Sequence, residues 1–363
     1  MKKEEKSEVK SEDIKYIPIN WGFGVLGAER KLASVVKIVD IQPIPNADDI
    51  VVAKVKGWNV VVKRDEFKVG DLAVYYEIDS FLPVRPQFEF LRKSSFKRMG
   101  SQEGFRLKTI KLRNQLSQGL LTPIPEGIID PKEGDDLTEA LDIVKYEPPI
   151  PAQLAGKIKG VFPSFIPKTD EIRIQNFESD VGFSPAGERV YITEKLDGTS
   201  FTCYFKDGVF GVCGRNWELS ETDDNSLWRM AKMLNLKEKL TKHGKNIALQ
   251  GELIGAGING NLYGMQYHAL YFFTGYDIDK GRRMFFDELE WLLFNLDLKM
   301  VPVIEKYGYT LPTDNLVDTM LKYAEGKSIL NIGVDREGVV VRGLEREFSF
   351  KAISNTYLLG NKE

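Results

Sequence analysis

Short apolar runs alternate with polar turn clusters from Leu32 to about Pro125. The runs are rich in valine and isoleucine, and turn clusters such as PIPNADD and KVGD separate them. About five or six short strands within roughly a hundred residues are typical of a small closed barrel. This pattern predicts a β-barrel domain over residues 15–147, and an OB-like barrel is the first choice.

The pattern changes to mixed helices and strands after residue 167. Amphipathic stretches such as NSLWRMAKMLNLKEKLTKHG and DNLVDTMLKYAEG predict helices, and the apolar runs between them predict strands. Regular βαβ alternation is missing, which favours antiparallel sheets with helices packed outside them. The prediction is an α+β fold, in which the second domain spans residues 167–363.

A proline-rich stretch, YEPPIPAQLAGKIKGVFPSFIP, lies between the two patterns. Proline lacks the backbone donor that helices and inner strands need, so residues 148–166 are predicted to form a linker. The first residues, MKKEEKSEVKSED, mix both charges without an apolar core. They predict a disordered tail over residues 1–14 and no signal peptide.

Composition argues against several classes of protein. The chain has 363 residues, and no run approaches the ~18 consecutive apolar residues that a membrane helix requires. The two cysteines, Cys203 and Cys213, cannot build a disulfide framework and fit a reducing compartment. The two histidines, His243 and His268, argue against zinc sites and histidine-based catalysis. We therefore expect an intracellular, cytoplasmic protein with no membrane partner, and a nuclear location is the alternative.

Two phosphate-binding motifs are matched only in part. GAGING, residues 255–260, fits G-x-G-x-x-G, but the following NLYGMQYH does not begin a helix, as a dinucleotide fingerprint requires. EGKS, residues 325–328, lacks the first glycine of a P-loop. Neither a dinucleotide fold nor a P-loop site is predicted.

Lys195 stands at the end of an apolar run, in the stretch YITEKLDGTSFTCYF. The runs FTCYFK and VFGVCGRN are joined by Asp207-Gly208, a dipeptide that prefers a two-residue type I′ hairpin turn. Continuing the ladder of this hairpin places Ser200 opposite Arg215 and so brings a cation beside Lys195. The alternative interpretation of Lys195 is a solvated surface lysine.

An activated nucleophile would explain this neighbourhood. A lysine amine attacks only when neutral, and its free pKa is about 10.4. Nearby cations, a divalent metal and desolvation lower that pKa. Attack on phosphorus also requires carboxylates that hold the metal and cations that stabilise the phosphoryl oxygens. Later strands supply such side chains in the order Glu252, Tyr276, Asp277, Glu337 and Lys351.

Each of these residues has a structural alternative when taken alone. A glutamate at the end of a strand is usually solvated, and a strand tyrosine such as Tyr276 more often lies in a core. Lys351 is less easily explained this way, because it shares a face with Ser349 in an otherwise apolar strand. The argument for chemistry therefore depends on the whole set and its order.

That ordered set resembles the motifs of covalent nucleotidyltransferases, the polynucleotide ligases and mRNA capping enzymes. Lys195-x-Asp197-Gly198 is similar to their first motif, and GRN, QGELIG, FFTGYDI, REGVVVRG and SFKAIS follow in family order. KLDGTS followed by GRN, with PKTDEIRIQN upstream, looks more like RNA ligases than DNA ligases. A barrel ahead of the ligase motifs resembles the ATP-dependent RNA ligases of the Naegleria type, which carry an N-terminal OB domain.

The resemblance implies a three-step reaction. Lys195 attacks the α-phosphate of ATP and releases pyrophosphate, and the adenylate then moves to a 5′-phosphate end. A 3′-hydroxyl attacks that end, seals the RNA strand and releases AMP. Glu252 would contact the ribose, Tyr276 would stack on adenine, and Glu337 would bind the hydration shell of a Mg or Mn ion.

The resemblance also implies three sets of residues. The catalytic set is Lys195, Asp197, Arg215 and Lys351. The ATP-binding set is Glu194, Lys195, Gly198, Arg215, Glu252, Tyr276, Glu337, Lys351, Arg173 and Gln175. The metal set is Asp197, Glu252 and Glu337. One departure is visible, because related ligases often carry a second lysine where this chain has Ile353. This leaves open how the outer phosphates are neutralised, and the front domain is a candidate source of charge.

Residues 91–114 form a basic segment inside a slightly acidic protein. They contain eight Lys or Arg residues and one Glu, whereas the whole chain has a net charge of −3. A solvated barrel face is one interpretation, and a phosphate-binding track with Phe96 and Phe105 as stacking surfaces is the other. The predicted RNA-binding residues are Lys97, Arg98, Arg106, Lys108, Lys111 and Arg113.

Three alternatives stay open beside a monomeric RNA ligase that joins 5′-phosphate and 3′-hydroxyl ends, with RNA repair as the expected role. The first is a ligase that prefers DNA or mixed nicks. The second is a non-catalytic RNA-binding protein with a decayed ligase core, although decay would be expected to remove some of the motif residues. The third is a capping guanylyltransferase, which would use GTP in place of ATP.

Overall fold

The computed structural model describes residues 30–150, 154 and 156–360, so the predicted tail over residues 1–14 lies outside the described residues. The front domain has one short helix, α1 (Arg92–Ser95), preceded by a 3-10 turn, Pro86–Leu91. Its strands are β1 (Ala33–Lys37), β2 (Asp40–Pro43), β3 (Ile50–Val55), β4 (Trp58–Lys63), β5 (Leu72–Tyr76), β6 (Ser80–Pro83), β7 (Phe96–Met99), β8 (Gln102–Arg106), β9 (Thr109–Leu112), β10 (Gln115–Gln118), β11 (Leu120–Thr122) and β12 (Val144–Lys145).

These twelve strands form small antiparallel sheets around apolar clusters. The strand orders are β1–β5–β11, β2–β3–β4, β9–β10 and β12–β6–β8–β7. The fully buried rings of Trp58 and Tyr75 anchor one cluster, and Tyr76, Phe88 and Phe105 anchor the other. The predicted run of short strands in the first domain is therefore confirmed.

The second domain has two larger sheets. Its strands are β13 (Ile158–Val161), β14 (Ile172–Arg173), β15 (Arg189–Lys195), β16 (Thr199–Lys206), β17 (Val209–Cys213), β18 (Trp217–Leu219), β19 (Ile247–Ile254), β20 (Ala269–Asp277), β21 (Arg282–Arg283), β22 (Val303–Thr310), β23 (Gly338–Gly343) and β24 (Ser349–Ile353). The seven-stranded sheet has the order β13–β18–β17–β16–β19–β20–β21, and the five-stranded sheet has the order β14–β24–β23–β15–β22. Only β14 and β24 run parallel within these sheets. The predicted α+β fold is confirmed.

Six helices of the described residues accompany these sheets. They are α2 (Ile174–Val181), α3 (Ser226–Met233), α4 (Leu236–His243), α5 (Phe286–Asn295), α6 (Leu316–Ala324) and α7 (Asn355–Gly360). The amphipathic stretch predicted as one helix over NSLWRMAKMLNLKEKLTKHG is divided into α3 and α4. The break lies at Asn235, whose φ of +51° is left-handed, and asparagine tolerates that conformation better than most residues.

The hairpin between β16 and β17 has the predicted turn. Asp207 and Gly208 both have positive φ, 49° and 81°, as a type I′ turn requires, and Phe205 pairs with Phe210. The expected pairing of Ser200 with Arg215 is wrong. The ladder ends at Thr202 and Cys213, because the chain turns back at Gly214 to form β18. Ser200 instead pairs with Glu252 of the neighbouring strand β19.

A buried polar junction joins the two domains. The indole Nε1 of Trp58 donates to the amide oxygen of Asn176 at 3.0 Å, and the amide nitrogen of Asn176 donates to Glu77. Arg30 forms a 2.6 Å ion pair with Glu77, but burial outweighs it and raises the pKa of Glu77 to about 7. Asn176 lies in α2, so this junction fixes the start of the second domain against the barrel.

A second contact between the two domains is apolar. Leu116 of β10 packs in one apolar cluster with Ile353, Tyr357 and Leu358. Among the described residues of the predicted linker, Ile158–Val161 forms β13 and pairs with β18. Within the described ranges, no helix is long and apolar enough to cross a bilayer.

Candidate active site

Lys195 lies at the end of β15, where it contacts the carboxylate of Glu337, the residue directly before β23. Its Nζ is 2.7 Å from Oε2 of Glu337, and the side chain of Lys195 is 26% exposed. Gly198 permits a close approach of the next strand, because a Cβ at this position would stand 2.4 Å from the carbonyl oxygen of Leu253. This close approach brings the carboxyl group of Glu252, on β19, near the amine of Lys195 and the carboxylate of Glu337.

The charges around Lys195 keep it protonated. Desolvation lowers the pKa of Lys195, but Glu337 and then Glu252 outweigh desolvation, so the net shift is upward. A protonated amine cannot attack phosphorus. The arrangement therefore holds the lysine in a resting state, and additional positive charge is needed before it can react.

The carboxylates are too many for one ammonium group. The pKa of Glu252 is raised to about 8, chiefly by burial; Lys195 lowers it, and the neighbouring charges of Glu337 and Asp197 contribute to the rise. Oxygen donors of this kind suit Mg and Mn ions. Within the residues that the structure describes, no three His, Cys, Asp or Glu side chains are grouped closely enough to hold an ion directly. The oxygen donors of Asp197, Glu252 and Glu337 fit a hydrated Mg or Mn ion, because Mg typically keeps several of its waters when carboxylates bind it.

Lys351 has the opposite surroundings. It lies on β24, beside Arg173 of the parallel strand β14. Desolvation, then Arg173 and Lys195, lower the pKa of Lys351 to about 7. Two cations beside a lysine that loses its proton easily form a site that an anion would stabilise.

Asp197 is held by three side chains from two distant segments. Tyr357 donates its hydroxyl to Oδ2 at 2.6 Å, and Asn259 donates Nδ2 to Oδ1 at 2.9 Å. The backbone amide of Asp197 donates to the hydroxyl of Tyr263 at 2.7 Å. Asn259 belongs to the GAGING motif, to which the sequence pattern assigned no function. Neither Asn259 nor Tyr357 was expected from the sequence.

Arg215 is displaced from the predicted position. It ion-pairs with Asp170 at 2.5 Å, and Lys145 of the front domain lies 3.6 Å from the same carboxylate. Arg215 nevertheless lowers the pKa of Glu252 through its charge, as a minor effect beside burial. The pair lies at the rim of the cleft, and the side chain of Arg215 is 64% exposed.

Two predicted ATP-binding side chains lie apart from this group. Adjacent strand residues point to opposite faces, so Glu194 faces away from Lys195, and its Oε2 accepts from the amide of Ile329 at 2.8 Å. Burial raises the pKa of Glu194. Gln175 is buried at the junction with the front domain, beside Gly57.

Tyr276, which was expected to stack on adenine, is buried in the structure. Tyr276 is 8% exposed and packs in an apolar cluster with Phe162 and Ile166. A bulge in β20 leaves Phe273 without a ladder partner, and this ring is partly exposed. The guanidinium of Arg342 lies 5.6 Å from the centroid of the Phe273 ring.

The position of Phe273 relative to Lys195 follows from the strand register. Arg342 pairs with Tyr191, which is on the same face of β15 as Lys195. Phe273 therefore faces the side of the five-stranded sheet that carries the lysine. The adjacent phenylalanines in FFTGYDI were a signal for an aromatic platform, but the bulge that turns one of them could not be predicted from the pattern.

The basic segment divides into two hairpins. Lys97 and Arg98 lie on the β7–β8 hairpin, where Arg98 pairs with Glu103 at 2.7 Å. Lys111 lies on the β9–β10 hairpin and donates to the carbonyl oxygen of Leu359 in α7 at 3.2 Å. Lys108 and Arg113 are exposed at the ends of β9.

Two members of the segment are engaged inside the front domain. Arg106 forms a 2.7 Å ion pair with Asp79 and lies 4.7 Å above the ring of Tyr146. Phe105 is fully buried and cannot stack on a base, so that expectation is wrong. Phe96 packs edge-on against Phe105 and retains a partly exposed ring.

Two family models match the chain. An OB-fold domain model matches residues 32–124, and an RNA ligase model matches residues 188–353. The predicted OB fold of the front domain is thereby confirmed. A search of curated proteins found no match.

Solved structures of Naegleria gruberi RNA ligase are similar to this chain over most of its length. The structure with PPi is 42% identical, covers 92% of this chain and 99% of its own, and has a TM-score of 0.77. A glutamate-to-alanine variant with ATP and Mn is 42% identical, covers 92% of this chain and 100% of its own, and has a TM-score of 0.77. A lysine-to-methionine variant with AMP and Mn is 42% identical, covers 92% and 99%, and has a TM-score of 0.78.

The identity and coverage of these matches extend through both domains and agree with the order of the motifs around Lys195. The chain belongs to the RNA ligase family and carries an OB-fold domain ahead of its ligase domain.

Proposed function

We propose that this protein is an ATP-dependent RNA ligase that joins 5′-phosphate and 3′-hydroxyl ends. The single observation that carries the proposal is the contact of Lys195 with Glu337, next to Glu252 and opposite the cationic group of Lys351. A lysine nucleophile, carboxylates for a cation and cations for a phosphate are the parts that nucleotidyl transfer needs.

The first step forms a phosphoramide bond. Nζ of Lys195, once deprotonated, attacks the α-phosphorus of ATP while the bond to the bridging oxygen breaks and pyrophosphate leaves. A hydrated Mg or Mn ion, when bound, supplies charge that lowers the pKa of Lys195. Asp197, Glu252 and Glu337 would hold its water shell.

The cations of the cleft stabilise the charge that grows on the α-phosphate. Lys351 and Arg173 are directly paired on β24 and β14, so their side chains lie on the same face of the sheet and both can donate to the phosphate. Ile353 cannot take part, because its side chain packs with Leu116 in an apolar cluster. Lys145 of the front domain and Arg215 stand at the rim, and we assign the outer phosphates to them.

The adenine platform is Phe273 in this proposal. Its ring packs against the apolar cluster of Leu196, Ile254, Tyr263 and Val301 but stays partly exposed on the lysine side of the cleft, whereas Tyr276 is buried. Glu194 contributes through its backbone only, because its carboxylate lies on the opposite face of β15.

The later steps act on RNA ends. The 5′-phosphate attacks the phosphorus of the lysyl adenylate, which releases Lys195, and the 3′-hydroxyl then displaces AMP. We assign the RNA contacts to the exposed cations of the two hairpins, Lys97, Arg98, Lys108, Lys111 and Arg113.

The cysteines, Cys203 and Cys213, are buried and unpaired, which supports an intracellular enzyme. We propose that it acts as a monomer.

Intact mass after incubation with ATP and MnCl2 tests this proposal. Wild-type protein should gain the mass of one AMP, and Lys195→Ala should gain none while keeping its melting temperature. Lys327→Ala is the matched control, since that lysine pairs with Asp335 at the surface. An adduct on Lys195→Ala would contradict the assignment of the nucleophile, and an adduct with GTP instead of ATP would favour a capping enzyme. No adduct from folded wild-type protein would favour the RNA-binding alternative.

A further inference from the structure

Asp197 differs from the other two carboxylates of the cleft in its partners. Glu337 contacts the amine of Lys195. Both oxygens of Asp197 instead accept hydrogen bonds from neutral donors, the hydroxyl of Tyr357 and the amide of Asn259. A carboxylate that accepts from one donor at each oxygen has its plane fixed and retains further lone pairs on both atoms.

We infer that Tyr357 and Asn259 are positioning residues, which orient the carboxylate of Asp197 so that its remaining lone pairs accept from the water shell of the divalent ion. The inference rests on the proposed function, because it assigns a purpose to the same cleft. Residues that orient a metal-binding carboxylate typically alter metal affinity by 10–100-fold when they are changed.

The need for such positioning follows from charge. Glu337, Glu252 and Asp197 all raise the pKa of Lys195, which shows that the three carboxyl groups lie in one cleft. Burial raises the pKa of Glu252 to about 8, so the repulsion at neutral pH is chiefly between Asp197 and Glu337, and an unsupported aspartate would turn toward solvent when no cation is bound. Hydrogen bonds from two sides keep Asp197 in place before the ion arrives.

Each donor is itself held firmly. Asn259 has a φ of +42° and also donates to the carbonyl oxygen of Gly198 at 2.6 Å, so it spans the Asp197-Gly198 dipeptide. Tyr357 is 9% exposed and packs with Leu116 of the front domain. The orientation of a carboxylate in the ligase domain thus depends on a contact with the OB-fold domain.

Tyr357→Phe tests this inference, because it removes the hydroxyl and keeps the packing of the ring. The Mn²⁺ concentration for half-maximal adduct formation should rise about tenfold, while the KM for ATP at saturating Mn²⁺ stays unchanged. Mn²⁺ binding without ATP, followed by electron paramagnetic resonance of the free ion, should weaken by the same factor. Tyr323→Phe is the matched control, since Tyr323 donates to Glu305 at 2.7 Å elsewhere in the domain.

Asn259→Gly provides an independent variant, because glycine adopts the positive φ and lacks the amide. It should shift the Mn²⁺ requirement in the same direction even if Tyr357→Phe does not fold. An unchanged Mn²⁺ requirement in either folded variant overturns the inference, as does an adduct from wild-type protein without detectable Mn²⁺ binding. Failure of wild-type protein to form any adduct would instead contradict the proposed function.

Discussion

Lys195 and Lys351 stand on two strands of one sheet, separated only by β23, yet their pKa values shift in opposite directions. Desolvation lowers the pKa of both lysines. It is outweighed by Glu337 and Glu252 at Lys195, whereas Arg173 adds to it at Lys351. Neighbouring charge, and not burial, therefore decides which lysine keeps its proton.

The two halves of the cleft are complementary to different parts of one substrate. The carboxylate half around Lys195 repels phosphate until a cation neutralises it, and the cationic half around Lys351 attracts phosphate directly. A nucleotide with its divalent ion satisfies both halves together. Before the nucleotide and its ion bind, Lys195 is unreactive, because its amine is protonated.

Removing the charge of the cationic half should have a larger effect than any other change short of removing Lys195 itself. Lys351→Met retains much of the side-chain volume and removes the charge that faces the α-phosphate. Adduct formation should slow by about 10²–10³-fold, the usual cost of one preorganised electrostatic contact. The rate is measured by intact mass in single-turnover reactions. A loss below tenfold would show that Arg173 alone can serve the phosphate and that the two lysines are not complementary.

The pH dependence of adduct formation sharpens the comparison. Lys195 must lose a proton, so the rate should rise with pH on the acid side. Lys351 must keep a proton that it loses at about pH 7, so above that value its loss offsets the gain from Lys195, whose pKa lies above the ordinary value of a lysine. The kcat/KM of the wild-type enzyme should therefore rise by about tenfold per pH unit below pH 7 and level off above it.

Lys351→Arg isolates the titration of Lys195, because the guanidinium stays charged throughout the range. Its kcat/KM should keep rising above pH 7, where that of the wild-type enzyme is level. Rates between about pH 5.5 and 9 provide the measurement. A level region that persists in Lys351→Arg would assign that titration to a group other than Lys351.

Local sequence signals predicted the parts of the site that depend on neighbouring residues. Asp207-Gly208 specified the hairpin turn, and the order of motif residues indicated that Lys195, Glu252 and Glu337 meet in one cleft. The partners of Asp197 could not be found this way. Asn259 and Tyr357 lie 62 and 160 residues from it, and no periodicity connects such positions.

Other errors have equally physical causes. The predicted pairing of Ser200 with Arg215 assumed that a ladder continues until its strands end, but the chain turned at Gly214. Phe105 alternates into the core of the front domain, and a segment rich in charge gave no indication of which face it would take. The bulge at Phe273 changes the face of one residue, which a strict two-residue period cannot anticipate.

The smallest expected effect concerns the surface outside the cleft. Lys111→Ala combined with Arg113→Ala removes two exposed cations from the hairpin that contacts α7. RNA binding at moderate salt should weaken by about tenfold, and the slope of log affinity against log salt should become shallower by about 1.5, because two phosphate contacts are lost. Fluorescence anisotropy with a labelled nicked RNA duplex across a salt series measures both quantities.

Adduct formation with ATP should stay unchanged in this double variant, since neither Lys111 nor Arg113 reaches Lys195 or Lys351. Lys68→Ala combined with Lys132→Ala, two exposed lysines elsewhere in the front domain, is the control and should leave the slope as it is. If Lys97→Ala with Arg98→Ala produces the larger loss, the RNA follows the β7–β8 hairpin instead, and the front domain presents its charge away from α7.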